Sequence, residues 1–173
     1  MAELGSGGFG FVLHCVRRSD SKNVAVKFIF KNKINAKGWV KDSQLGPVPL
    51  EVHLLRKCNH PNIVEFVDYY DDQRFVYLVM GMHGCSWSED GYSPLALRAA
   101  SKRPASIPRR NSQDLFEAIE QHTRFSENQS KLVFRQIVDA ISYLHQHGLV
   151  HRDIKDENIL VDQNFNVKII GKH

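Results

Sequence analysis

Chemistry-bearing residues gather near both ends of the chain. At the start, Gly5, Gly7 and Gly10 form a GxGxxG spacing followed by Val12. Glycines so placed let backbone N–H groups approach phosphates with no Cβ in the way. The same spacing opens dinucleotide-binding folds, where a helix follows directly; here the residues after the glycines read as a strand hairpin. Lys27 closes "VAVK" on the second strand of that hairpin. From there an ammonium group can reach the α- and β-phosphates of a nucleotide, provided a carboxylate holds it. Taken singly, a strand lysine is usually just solvated. Between Lys27 and Lys57 the acids are Asp42 and Glu51, and Glu51 alone lies in a predicted helix, so it is the candidate partner; the alternative is a surface helix charge. Near the other end stand His151, Arg152 and Asp153, with Asn158 five positions beyond the aspartate. Four fixed residues at set spacing, after a long helix and before two strands, rarely arise by chance.

The elements that must position these groups can be read from pattern. "GFVLHCVRR" and "NVAVKFIF" are β-branched and aromatic, with the turn residues "SDSKN" between them. Pro47 and Pro49 are expected to stop any extended run, after which Leu50, Leu54, Leu55 and Lys57 give a short amphipathic helix. "NIVEFVDYYDDQRFVYLVM" returns to strand character on either side of "DDQR". Residues 1–83 therefore form a small antiparallel lobe with one helix. Residues 84–113 turn to Ser, Pro, Arg and Gly with no usable period, the mark of a flexible insertion. From residue 114 the pattern is helical: Ser126 and Gln129 have capping-box spacing, Leu132, Val133, Phe134, Ile137, Ile141 and Leu144 follow at helical intervals, and Gly148 suits a C-terminal cap. A loop and two short strands around "DQNFN" complete 114–173. The fold class is α+β.

Composition sets the outer bounds. The 173 residues are 42% hydrophobic and 24% charged, which suits one ordinary globular domain. No apolar run is long enough to cross a bilayer, and "MAELGSGGFG" lacks the basic-then-apolar order of a secretory leader, so the expectation is a cytoplasmic protein, the nucleus included, with no membrane partner. Cys15, Cys58 and Cys85 are odd in number, widely spaced and without a CxxC pair, as free thiols are. The net charge of +4 is mild and scattered; phosphate ligands satisfy it as well as nucleic acid, which is not expected as a partner. The one concentration, Arg98, Lys102, Arg103, Arg109 and Arg110, falls in the insertion.

In the order glycine loop, strand lysine, helix glutamate and H-R-D-x-x-x-x-N string, the sequence resembles the eukaryotic protein kinase family. The resemblance implies a two-lobe, protein-kinase-like fold with ATP and Mg²⁺ in the cleft, and transfer of the γ-phosphate to a protein Ser or Thr. On its terms Gly5, Gly7 and Gly10 cover the phosphates, Val12 and Ala25 lie above the adenine and Leu160 below it. Lys27 holds the α- and β-phosphates and Glu51 orients it. Asp153 accepts the proton of the substrate hydroxyl, Asn158 binds one Mg²⁺, and Lys155 neutralises charge on the transferred group. Met80 guards the back of the adenine pocket, and "GMHG", with Gly81 and His83, is the hinge. Lys155 two residues after Asp153 looks like the serine/threonine branch. Gly81 stands where the family commonly carries a carboxylate; a hinge binds adenine through backbone groups, so ATP binding is expected to survive. "WVKDSQLGPVPLEVHLL", "HGCS", "DLFEAIE" and "HRDIKDEN", the last with Asp156 where many kinases have proline, resemble the PAS-domain-regulated serine/threonine kinases.

One departure tempers that implication. In the family the strand "VKII" continues into Asp-Phe-Gly, whose aspartate binds the catalytic Mg²⁺; here Gly171, Lys172 and His173 follow. The expectation is a catalytic domain cut short before that motif, with Asp162 poorly placed to substitute and activity lower by several orders of magnitude; the alternative is a catalytically impaired pseudokinase or dominant-negative module that binds nucleotide or a partner. The long helix is then expected to expose an apolar face that invites a partner. "KRPAS" ending at Ser106 and "RRNS" ending at Ser112 resemble sites for basophilic kinases, though such strings are common in basic loops.

Overall fold

The computed structural model of the chain describes residues 2–84, 112–122 and 124–171. Cys85, Ser106, the Arg98 to Arg110 cluster, Lys172 and His173 lie outside the described residues. Five antiparallel strands form the first sheet, in the order β1 (Ala2–Gly7), β2 (Gly10–Val16), β3 (Asn23–Phe30), β7 (Phe75–Gly81) and β6 (Phe66–Asp71). Strand alternation sorts its side chains. Lys27 pairs with Val12 and Leu78, which places all three on one face with Ala25, Ile29 and Met80. The other face collects aromatic rings: Phe11 stacks on Phe28 at 4.6 Å, and Phe28 meets Tyr77 edge-on at 5.0 Å.

The inner face receives helix α1 (Leu50–Lys57), whose Val52 and Leu55 are buried against Ile29, Val76, Leu78 and Met80. The expectation that Pro47 and Pro49 exclude strand fails. Trp39–Asp42 (β4) and Gly46–Pro49 (β5) form a two-stranded ribbon in which Lys41 faces Pro47 and Trp39 faces Pro49. The prolines are two residues apart, so the N–H each lacks is missing from the same side, and a two-stranded ribbon has an edge that needs no donors. Strand β5 runs straight into α1 with no linker.

The second lobe holds β8 (Ser112–Asp114), α2 (Leu115–His122), α3 (Glu127–Gln146), β9 (Ile159–Asp162) and β10 (Val167–Ile169). Strand β8 starts at Ser112, inside the stretch that composition marks as insertion; Ser112 pairs with Asp162 and Asp114 with Leu160. Helix α3 begins as its sequence implies: Gln129 N–H donates to Ser126 Oγ at 3.3 Å and Ser126 N–H to Gln129 Oε1 at 2.8 Å. Gly148 takes φ +70° just beyond its end. Of the consecutive Leu132, Val133 and Phe134 only Val133 is buried, because three neighbours on a helix cannot share one face. Phe134 is 67% exposed, and Leu132 and Val138 are exposed beside it. Among the described residues no helix is long and apolar enough to cross a membrane.

The lobes share one core. Ala140 and Leu144 of α3 and Ile169 of β10 pack with Val52, Leu55, Ile63 and Leu78. The segment after α1 is stitched to β10: Ile63 bridges Ile169, Asn62 Nδ2 donates to Val167 O at 3.0 Å and to Gln136 Oε1 at 2.9 Å, and Lys168 Nζ donates to Ile63 O at 3.1 Å.

Candidate active site

Lys27 sits mid-strand on β3, and its ammonium group is ion-paired to the carboxylate of Glu51 in the first turn of α1, with both side chains mostly buried. A carboxylate at that end of a helix also faces the positive end of the helix dipole. The three glycines divide by role. At Gly5 and Gly7 an added Cβ meets nothing within 4 Å, so the space beside this backbone is open to a ligand. At Gly10, φ is +158° and an added Cβ falls 1.7 Å from Phe28 O, so this glycine is demanded by the close approach of the start of β2 to its neighbour β3. Strand β2 directly follows the glycines, which removes the helix a dinucleotide fold requires.

Val12 and Ala25 share the face of Lys27, and Met80, paired with Ala25 and 8% exposed, closes its inner end. Leu160 alternates with the buried Ile159 and Val161, so it turns away from their core. Gly81 leaves room that Glu65 takes up: an added Cβ at Gly81 comes within 3.2 Å of Glu65 Oε2, and Gly81 N–H donates to Glu65 O at 2.9 Å. His83, read as a cofactor-binding hinge residue, sends its buried ring elsewhere. Its Nε2–H donates to Asn166 O at 2.9 Å, and burial pushes its pKa down, so the neutral ring ties the hinge to the β9–β10 turn.

The second half of the site is the loop after α3. His151 is buried, with Nδ1 accepting from Asp153 N–H at 3.3 Å and Nε2–H donating to Ile170 O at 3.2 Å; burial lowers its pKa, which suits this neutral tautomer. Asn158 Nδ2 donates to Asp153 O at 2.7 Å and Asp153 Oδ2 at 2.8 Å, fixing the carboxylate. Ile170 N–H donates to Asn158 O at 2.9 Å. Arg152 takes φ +65°, a strained value for a residue with a Cβ, at the bend that presents Asp153. The Lys155 head group is exposed and 3.0 Å from Glu157, whose hydrogen bond, and after it whose charge, raises its pKa; the charge of Asp153 acts on it more weakly.

Gly171 lies against this loop: an added Cβ there falls 3.2 Å from both Asn158 Cγ and His151 Cε1. Asp162 is buried in its own turn, where Oδ1 accepts from the N–H groups of Asn164 and Asn166 at 2.9 Å and Oδ2 from Asn166 Nδ2 at 2.9 Å. Among the described residues no three His, Cys, Asp or Glu side chains gather as a metal site. Two groups of positioning residues carried no sequence signal strong enough to single them out. Asp42 lies off the helix that the sequence predicts, and Asn62 and Gln136 belong to no motif. A polar Gln136 between Val133 and Ala140 on the buried face of α3 was the available clue.

A family model described as protein kinase domain matches residues 1–97 and 107–171. The chain belongs to the protein kinase family. The PAS domain-containing serine/threonine-protein kinase of Mus musculus is 38% identical over 170 residues, covering 98% of this chain and 10% of that protein. The serine/threonine-protein kinase PSK1 of Saccharomyces cerevisiae is 35% identical over 173 residues, covering 98% of this chain and 11% of that protein. The kinase chain therefore spans about a tenth of the length of these relatives. A solved structure of Rad53 1–466 in complex with AMP-PNP matches with a TM-score of 0.70 at 28% identity, covering 99% of this chain and 37% of that one. The two-lobe kinase fold rests on these matches together with the geometry above.

Proposed function

We propose that this kinase chain binds ATP between the inner face of β1–β3 and Leu160, and that Asp153 is the group arranged to take the proton from a protein Ser or Thr hydroxyl. The observation that carries the reading is the formed Lys27–Glu51 pair beside the open backbone of Gly5 and Gly7. A lysine held on a strand under a glycine loop is placed to meet α- and β-phosphates. Asp153 is supported from three sides, by Asn158 on its carbonyl and carboxylate and by His151 on its N–H, so its position is set before substrate arrives.

Mg²⁺ in this family shields charge on the phosphates. Asn158 is the residue here that would offer it an oxygen, and Gly171 next to it offers none from a side chain. The described residues do not complete a divalent-cation site. That observation favours a second reading, a nucleotide-binding module in which transfer is impaired. Calorimetric titration with ATP, with and without Mg²⁺, and an assay for labelled γ-phosphate on a Ser/Thr protein separate the two. ATP binding lost in Lys27→Met, with transfer lost in Asp153→Asn, is the result expected of the enzyme. Binding without detectable transfer supports the module, and no binding refutes both.

A further inference from the structure

Helix α1 is eight residues long, and its N-cap, Pro49, makes no side-chain hydrogen bond. So short a helix has little stability of its own, and its position has to be imposed by neighbours. Asp42, at the end of β4, is 3% exposed and has every part of its carboxylate engaged. Oδ1 accepts from Gln44 N–H at 2.9 Å, Leu45 N–H at 3.1 Å and Arg56 Nη1 at 2.8 Å, and Oδ2 from His53 Nδ1 at 2.8 Å. Arg56 Nη2 also donates to Gln44 Oε1. The first two bonds close the ribbon turn at Gly46, which has φ +75°; the other two hold α1 one turn past Glu51. The hairpin amides first, and His53 and Arg56 after them, keep the Asp42 carboxyl well below the usual carboxylate range, so it is ionised at neutral pH.

We infer that the β4–β5 ribbon is a built-in brace for α1, and that Asp42 is a positioning residue that keeps Glu51 on Lys27. The helix is fixed at two points, by Glu51 to β3 and by His53 and Arg56 to Asp42. With Val48 and Val52 wholly buried between ribbon and helix, the ribbon cannot shift without carrying α1 along. Loss of the Asp42 contacts frees α1 to rotate about its join with β5, which draws Glu51 from Lys27 and weakens the grip on phosphates while leaving the adenine side untouched.

This inference rests on the ATP reading above, and its test separates the two. ATP and adenosine affinities and amide exchange across Leu50–Lys57 are measured on the 173-residue chain as wild type, Asp42→Asn, Arg56→Gln and Glu51→Gln. The expected result in Asp42→Asn is an ATP Kd raised about tenfold, with the adenosine Kd changed less than about twofold. The Asp42→Asn/Glu51→Gln double variant binds ATP no more weakly than Glu51→Gln alone, and α1 amides exchange faster in Asp42→Asn and Arg56→Gln while those of β9 do not. Equal losses for ATP and adenosine, or unaltered α1 exchange in both variants, overturn the brace. If Asp42→Asn does not fold, Arg56→Gln decides by the same two readouts. A wild type that holds ATP no more tightly than adenosine overturns the phosphate reading instead, and α1 exchange then decides the brace alone.

Discussion

Replacing Gly10 and Gly7 by alanine, one at a time, separates a glycine required by the sheet from one left free for a ligand. At Gly10 the new methyl carbon is built 1.7 Å from Phe28 O and 2.9 Å from Phe28 C, both backbone atoms that no rotamer change can move. Non-bonded heavy atoms settle at about 3.5 Å or more, so β2 must lift from β3 by well over an ångström. The lift breaks the pairing of Gly10 with Ile29 and pulls on the bond from Phe30 N–H to Phe9 O at 3.0 Å. Overpacking of this kind costs roughly 1–3 kcal/mol, and a strained φ for alanine adds a comparable amount, so the expected loss is about 3 kcal/mol or more. Against a total of about 5–15 kcal/mol that is a large share. At Gly7 the methyl group meets nothing within 4 Å, and stability is expected to move by less than about 1 kcal/mol. Urea unfolding followed by circular dichroism gives both numbers, and titration with ATP gives the second half of the prediction: Gly7→Ala folds normally and binds ATP more weakly. Equal unfolding midpoints for the two variants would refute the close-approach argument at Gly10. Unchanged ATP affinity in Gly7→Ala would refute the role given to the open glycines.

Three further outcomes follow from particular contacts. Asn62→Ala strips Gln136 Oε1 and Val167 O of a shared donor and is expected to cost about 1–3 kcal/mol by urea unfolding, with Gln136→Ala on top of it costing more again, because Gln136 also accepts from Val167 N–H at 3.0 Å and donates to Phe165 O at 2.8 Å. Burial lowers the pKa of His83 and of His151, so the unfolded chain takes up protons first; their contribution is complete above about pH 6.5 and falls away below it toward the folded-state values. Unfolding midpoints should drop between pH 7.5 and pH 5.5 (roughly one unit either side of that value), and less steeply in His83→Gln; an equal drop would remove His83 from the account. Gly81→Glu, which restores the residue type common in the family, puts a second carboxylate against Glu65 and is expected to destabilise the chain, with Glu65→Ala relieving it.

What the sequence disclosed and what it hid divide along a physical line. Alternation and helical period depend on which face meets the core, so β2, β3, α1, α3 and the final strand pair were legible, and so was the capping box at Ser126. The Lys27–Glu51 pair was legible because few acids were available and only one lay on a helix. Hidden were features whose signal depends on a partner distant in the chain. A ribbon containing Pro47 and Pro49 looks like a break until its single pairing edge is known. Three residues of β8 carry no period at all, and they become a strand only because β9 offers them an edge. Nothing near His83 in the sequence shows that its ring reaches the carbonyl of Asn166, 83 positions away. Asp42 is the sharpest case. As a lone acid between two predicted elements it has the pattern of a surface charge, and elimination correctly removed it as the partner of Lys27. Yet its four bonds settle where the chosen partner, Glu51, can stand. A residue can therefore be excluded from the chemistry on good grounds and still determine its geometry, because positioning acts through a helix that the excluded residue holds.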